Sequence, residues 1–125
     1  MMARKKVLIV TDDVDMVALA ADAILENDEL FSASDEQQAM ECLQAERPNL
    51  VLVDASRPTL DGFEVCRRIR QVGPAAVIML LDQTRTAADA QRACQLGADD
   101  WLTKPFSAKM LGARMRSPLR GAGTT

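Results

Sequence analysis

An aspartate closes a run of five apolar or amide residues, Asn49-Leu-Val-Leu-Val-Asp54, and a lysine stands fifty residues later in Lys104-Pro105-Phe106. Two more acids, Asp12 and Asp13, follow the apolar run Val7-Leu-Ile-Val10. A continuous apolar run of this length is the signature of a parallel strand buried on both faces. Acids and a lysine at three strand tips suit a divalent cation and a phosphoryl group, because ligands of doubly wound sheets sit outside the carboxyl ends of the strands.

The elements that must position these residues alternate regularly. Val7–Val10 begins the series, and Asp13 or Asp15 caps a helix over roughly 15–27 with Val17, Ala20, Ala21, Ile24 and Leu25 on one face. Glu29–Ala33 is a short strand nearer an edge. Ser34 or Asp35 caps a second helix with Ala39, Met40 and Leu43 inward, stopped by Pro48. Leu50–Val53 is the strongest strand. A loop, Arg57-Pro-Thr-Leu-Asp-Gly62, leads to a helix over about 63–71 and a Gly73-Pro74 break. Val77–Leu81 is a fourth strand. A helix over roughly 86–96 ends at Gly97, a natural residue for closing a helix. Asp100–Thr103 is the fifth strand, and Ser107 caps a last helix that fades near Pro118. Residues 1–117 form one domain, and 118–125 read as a flexible tail or the start of a linker.

Five strand–helix alternations predict an α/β fold with a mostly parallel sheet. The flavodoxin-like order 2-1-3-4-5 puts Asp54 on the central strand.

Composition narrows the function. The chain has 125 residues, 48% hydrophobic and 26% charged, which suits a single globular domain. A net charge of −3 with no basic block argues against nucleic-acid binding by this segment. No histidine is present, so the usual imidazole base and metal ligand are missing. Cys42, Cys66 and Cys94 match no zinc spacing and fit a reduced, cytoplasmic chain. No apolar stretch is long enough for a signal peptide or a membrane span. No glycine-rich turn follows the first strand, which argues against a nucleotide-binding fold. A phosphatase working through an aspartyl phosphate needs a second acid two residues after Asp54, where Ser56 stands.

Taken in order, the acids after strand 1, Asp54, Pro58-Thr-Leu-Asp61-Gly62, Leu96-Gly-Ala-Asp-Asp-Trp-Leu and Lys104-Pro105-Phe106 resemble the receiver (CheY-like) domain of two-component response regulators. The likeness spans about residues 5–117. Gly97–Ser107 looks most like receivers of winged-helix, OmpR/PhoB-like transcription regulators. The resemblance implies a signalling domain rather than an enzyme, in which Asp54 accepts a phosphoryl group from a sensor histidine kinase. It further implies that Mg²⁺ binds Asp12, Asp54 and the Ser56 carbonyl, and that Lys104 pairs with Asp54 and then the phosphoryl oxygens. Chemistry of this kind needs positioning and charge neutralisation above all. In the family a cis peptide usually precedes Pro105, and an aromatic at the place of Trp101 turns inward on activation.

Two positions depart from that pattern. The family carries two adjacent acids after strand 1. The ungapped register puts Thr11 at the first and Asp12 at the second, while a slip of one residue makes the pair Asp12 and Asp13. A Ser or Thr normally ends strand 4, and an ungapped count puts Asp82 there; a shortened helix brings Thr84 into register instead. Asp82 beside a phosphorylated Asp54 implies repulsion of ~3 kcal/mol per charge pair at ~5 Å and an effective dielectric of about 20. Losing an acid at Thr11 and gaining one at Asp82 moves a carboxylate across the site at constant charge. The alternative function is a receiver-like module that signals by protein contact without productive phosphorylation.

Homodimerisation through the fourth helix, fifth strand and fifth helix is a further expectation from the resemblance. Asp100 and Arg114 match one ion pair of that interface. Ala90 and Met110 replace the charged residues of another.

Overall fold

The computed structural model describes residues 5–83 and 86–116. Five strands and five helices alternate: β1 (Lys6–Val10), α1 (Val14–Ala23), β2 (Glu29–Ala33), α2 (Glu36–Glu46), β3 (Leu50–Asp54), α3 (Gly62–Val72), β4 (Ala76–Leu81), α4 (Ala87–Gln95), β5 (Asp100–Thr103) and α5 (Ala108–Arg116). All strand pairs are parallel, in the order β2-β1-β3-β4-β5. The flavodoxin-like order expected from the alternation is the observed one.

The two-residue period of a strand divides the core. Leu8, Val10, Val51, Val53, Val77, Met79 and Leu81 face α2, α3 and α4, where Leu43, Phe63, Ile69 and Ala93 meet them. Val7, Ile9, Leu50, Leu52, Ile78, Leu80 and Leu102 face α1 and α5, where Met16, Ala20, Leu111 and Met115 meet them. Leu52 and Ile78 are wholly buried, each stabilising the fold by about 1.5–3 kcal/mol relative to exposure.

Helix starts follow the polar residues ahead of them. Asp13, Asp35, Asp61 and Thr86 each accept from a backbone N–H in the first turn, satisfying donors that the helix leaves open. Thr86 and Asp89 form a capping box, and Ser107 accepts from Met110 N at 3.1 Å at the start of α5. Gly97 has φ +112°, the conformation that closes α4 most easily without a side chain.

Two helices are shorter than their sequence patterns imply. The expected helix over 15–27 stops at Ala23, where Ile24 is extended. The Asp28 carboxylate then accepts from Lys5 N and Leu25 N, offering the chain a turn in place of another helical turn. Leu25, expected on the inward face, is therefore exposed at 42%. The helix over 86–96 also trims to Ala87–Gln95, with Thr86 as its cap rather than its first turn. Residues 118–125, expected as a tail, lie outside the described residues.

Candidate functional site

Strand register brings the chemistry together. Thr11 continues the Val7, Ile9 row, Asp54 the Leu50, Leu52 row, Asp82 the Ile78, Leu80 row and Lys104 the Leu102 row. The paired residues Val10 and Val53 immediately precede Thr11 and Asp54, and Leu81 and Thr103 immediately precede Asp82 and Lys104. All four residues thus stand at the carboxyl edge of the sheet on the parity of one face.

Asp54 is the centre of this edge and is 0% exposed. Thr11 Oγ1 donates to its Oδ2 at 2.7 Å. Ser56 Oγ donates to Oδ1 at 2.6 Å, and Ser56 N donates to the same oxygen at 3.2 Å. The Lys104 ammonium lies 3.0 Å from Oδ1 and 3.2 Å from Oδ2, and donates to Ser56 Oγ at 2.7 Å. A buried carboxylate is tolerated only with such a set of donors and a countercharge. The Lys104–Pro105 peptide bond is cis, as the resemblance implies.

The acids after β1 take different roles. Thr11 is buried at 3% exposure against Asp54, so the ungapped register describes the geometry: a hydroxyl, not a carboxylate, stands beside β3. Asp13 is spent on the cap of α1, accepting from Asp15 N at 3.0 Å, and its own N–H donates to Thr11 Oγ1 at 3.1 Å. Asp12 is held from the loop after β3. Arg57 Nε donates to its Oδ1 at 2.6 Å and Thr59 Oγ1 donates to its Oδ2 at 2.5 Å. The Thr59 hydroxyl first and then the Arg57 guanidinium hold the Asp12 carboxyl below the usual carboxylate range, and Asp12 in turn pushes the guanidinium up. Arg57 Nη1 also lies 3.8 Å from Asp13 Oδ2.

Arg57 and Thr59 are site residues that the motif reading passed over. Their signal was positional: they lie three and five residues beyond the strand-tip Asp54, in a loop that has to cross the neighbouring tips.

Asp82 follows the last residue of β4 and is half-buried. Thr84, the alternative for that position, lies outside the described residues. Trp101 on β5 is 36% exposed and lines the groove between α4 and β5 with Thr86, Cys94 and Thr103. Asp100 and Arg114, matched to a dimer ion pair by resemblance, pair within the chain: Arg114 Nη1 donates to both Asp100 oxygens at 2.9 Å. Ala90 is buried, while Met110 is exposed at 51%.

A magnesium ion takes one or two carboxylates and completes its shell with waters. Asp12 and Asp54 at adjacent strand tips, with the Ser56 backbone beside them, are a donor set of that size. The described residues hold no group of three or more acids, cysteines or histidines placed for a metal ion. No helix among them is long and apolar enough to cross a membrane.

Comparison with known proteins places the chain in a family and agrees with its fold. The alkaline phosphatase synthesis transcriptional regulatory protein PhoP of Bacillus subtilis is 35% identical over 93% of this chain and 49% of its own length. The transcriptional regulatory protein CseB of Streptomyces coelicolor is 39% identical over 94% of this chain and 50% of its own length. The chain thus spans about half the length of the curated relatives it matches. Among solved structures, the response regulator DrrB, an OmpR/PhoB homologue of Thermotoga maritima, shares the fold with a TM-score of 0.80. It is 24% identical, over 91% of this chain and 52% of DrrB. The model of the response regulator receiver domain matches residues 7–116, and the chain belongs to that family of two-component signalling domains.

Proposed function

We propose that Asp54 is the phosphoacceptor of this receiver and that its donor is the phosphohistidine of a sensor histidine kinase. In the transfer, an Asp54 oxygen attacks phosphorus, the P–N bond breaks, the imidazole leaves with its electron pair and takes up a proton, and an acyl phosphate remains. Mg²⁺, held by Asp12, Asp54 and the Ser56 carbonyl, would neutralise charge on the transferring oxygens.

Asp54 supplies the nucleophile from a fixed position. Thr11 and Ser56 orient its two oxygens, and Lys104 supplies a positive charge next to the atoms that gain negative charge. The observation that carries the reading is this wholly buried carboxylate against a lysine at the carboxyl edge of a parallel sheet. Treatment with acetyl phosphate and Mg²⁺, followed by borohydride reduction, should convert Asp54 alone to homoserine. Reduction spread over exposed acids, or none at all, contradicts the proposal.

A second reading has support of its own. Asp82 directly follows β4, where the family pattern has a hydroxyl, and Asp12 is engaged by Arg57. Both features favour a module that signals through protein contact with little phosphorylation. A homodimer across α4, β5 and α5 would draw on the exposed Trp101 and Met110, with Arg114 already committed to Asp100 inside the chain. Transcriptional control, the activity named for PhoP and CseB, is proposed for the longer protein of this kind rather than for these residues.

A further inference from the structure

We infer that Arg57 is a built-in counter-cation of the acid pair Asp12 and Asp13, and that a divalent ion enters the site only by exchanging with it. The inference rests on the reading of Asp12 as a metal ligand. Both oxygens of that ligand are already covered, Oδ1 by Arg57 Nε at 2.6 Å and Oδ2 by Thr59 Oγ1 at 2.5 Å. The guanidinium also reaches Asp13 at 3.8 Å, so one side chain spans both acids.

Three physical points support exchange over co-occupancy. Mg²⁺ needs a carboxylate oxygen at about 2.0–2.1 Å with near-octahedral freedom around it, which a donor on the same oxygen obstructs. A guanidinium and a divalent ion held by the same oxygen repel each other. The second Asp12 oxygen offers no way around this, because Thr59 Oγ1 already donates to it at 2.5 Å.

The consequence is a charge balance that needs no metal. Lys104 answers Asp54, and Arg57 answers Asp12. In a cleft of unanswered acids, relief of their mutual repulsion drives cation binding. Here Arg57 has removed part of that drive before any ion arrives. It is a positioning residue that sets metal affinity and touches no reacting atom.

Mn²⁺ binding to the full chain, read from loss of the free-ion electron paramagnetic resonance signal, tests the inference without any phosphotransfer assay. Arg57→Gln removes the charge and should tighten Mn²⁺ binding about tenfold. Arg57→Lys keeps the charge without the planar fork and should fall between the two. Added Mg²⁺ should raise the melting temperature more in Arg57→Gln than in the parent chain, and adding Asp12→Ala to Arg57→Gln should erase the gain. Equal Mn²⁺ affinity in the parent, Arg57→Gln and Arg57→Lys would overturn the exchange while leaving Asp12 as a metal ligand. Failure of both the parent and Arg57→Gln to bind Mn²⁺ would overturn the exchange and the metal site together.

Discussion

Thr11 donates a 2.7 Å hydrogen bond to the wholly buried Asp54, placing a neutral hydroxyl where the family pattern has an acid. The same hydroxyl oxygen accepts from Asp13 N at 3.1 Å, so Thr11 couples the Asp54 carboxylate to the start of α1. Replacing it with valine preserves shape and removes both bonds. Thr11→Val should lose about 1–3 kcal/mol of stability in urea unfolding, since a buried carboxylate oxygen and a backbone donor lose a partner. Thr11→Asp should be less stable without metal and recover with Mg²⁺, because like charges then meet at Asp54.

Gly62 begins α3 directly under the residue after Asp54. A Cβ there would lie 2.7 Å from Ala55 Cβ and 2.8 Å from Ala55 Cα. Neither atom belongs to a flexible chain end, so the helix itself must shift. Gly62→Ala should cost about 1–3 kcal/mol by overpacking, read as a lower urea midpoint with unchanged slope. An unchanged midpoint would show that α3 can slide away from β3 freely.

How much of this was legible beforehand depends on the kind of signal. Apolar runs and caps gave five strands, five helices and the sheet order, because burial on both faces leaves little choice of residue in Leu50–Val53 or Val77–Leu81. The end of α1 was not legible, since Ala-rich periodicity runs on past Ala23 while the turn is decided by the distant Lys5 N meeting Asp28. Asp54 and Lys104 could be picked out from their positions at strand tips. The engagement of Asp12 by Arg57 could not, because it joins loops 45 residues apart and leaves no periodic trace. Asp100 and Arg114, matched in sequence to a dimer interface, also meet within the chain across 14 residues.

Asp82 and Trp101 test the switch. Trp101 is 36% exposed on β5, and Asp82 is a half-buried acid just after the neighbouring strand β4. An anion there should be driven from a phosphoryl group rather than drawn to it. Adding Mg²⁺ and beryllofluoride should therefore change Trp101 emission little, and Asp82→Thr should enlarge the change. A large change in the parent chain would mean that Asp82 does not hinder the switch.

The cysteines should separate by burial. Burial pushes the Cys66 thiol up to about 11, while Cys94 is exposed on α4. At pH 8 a maleimide should label Cys94 first and leave Cys66 untouched until the chain unfolds. The folded-state value of Cys66 lies above its ordinary value, so its neutral thiol favours the fold fully below about pH 9. That contribution should be lost as pH rises towards 11, on the order of 2 kcal/mol. Cys66→Ala should flatten this part of the stability profile; an equal slope with and without Cys66 would assign the decline to other groups.

The central claim is that Asp54 accepts a phosphoryl group with Lys104 beside it. Intact-protein mass spectrometry after incubation with acetyl phosphate and Mg²⁺ tests it most directly. The parent chain should gain the mass of one phosphoryl group, Asp54→Asn should gain none, and hydroxylamine should remove the increment as expected of an acyl phosphate. An increment that persists in Asp54→Asn, or a parent chain that gains nothing at saturating Mg²⁺, contradicts the account.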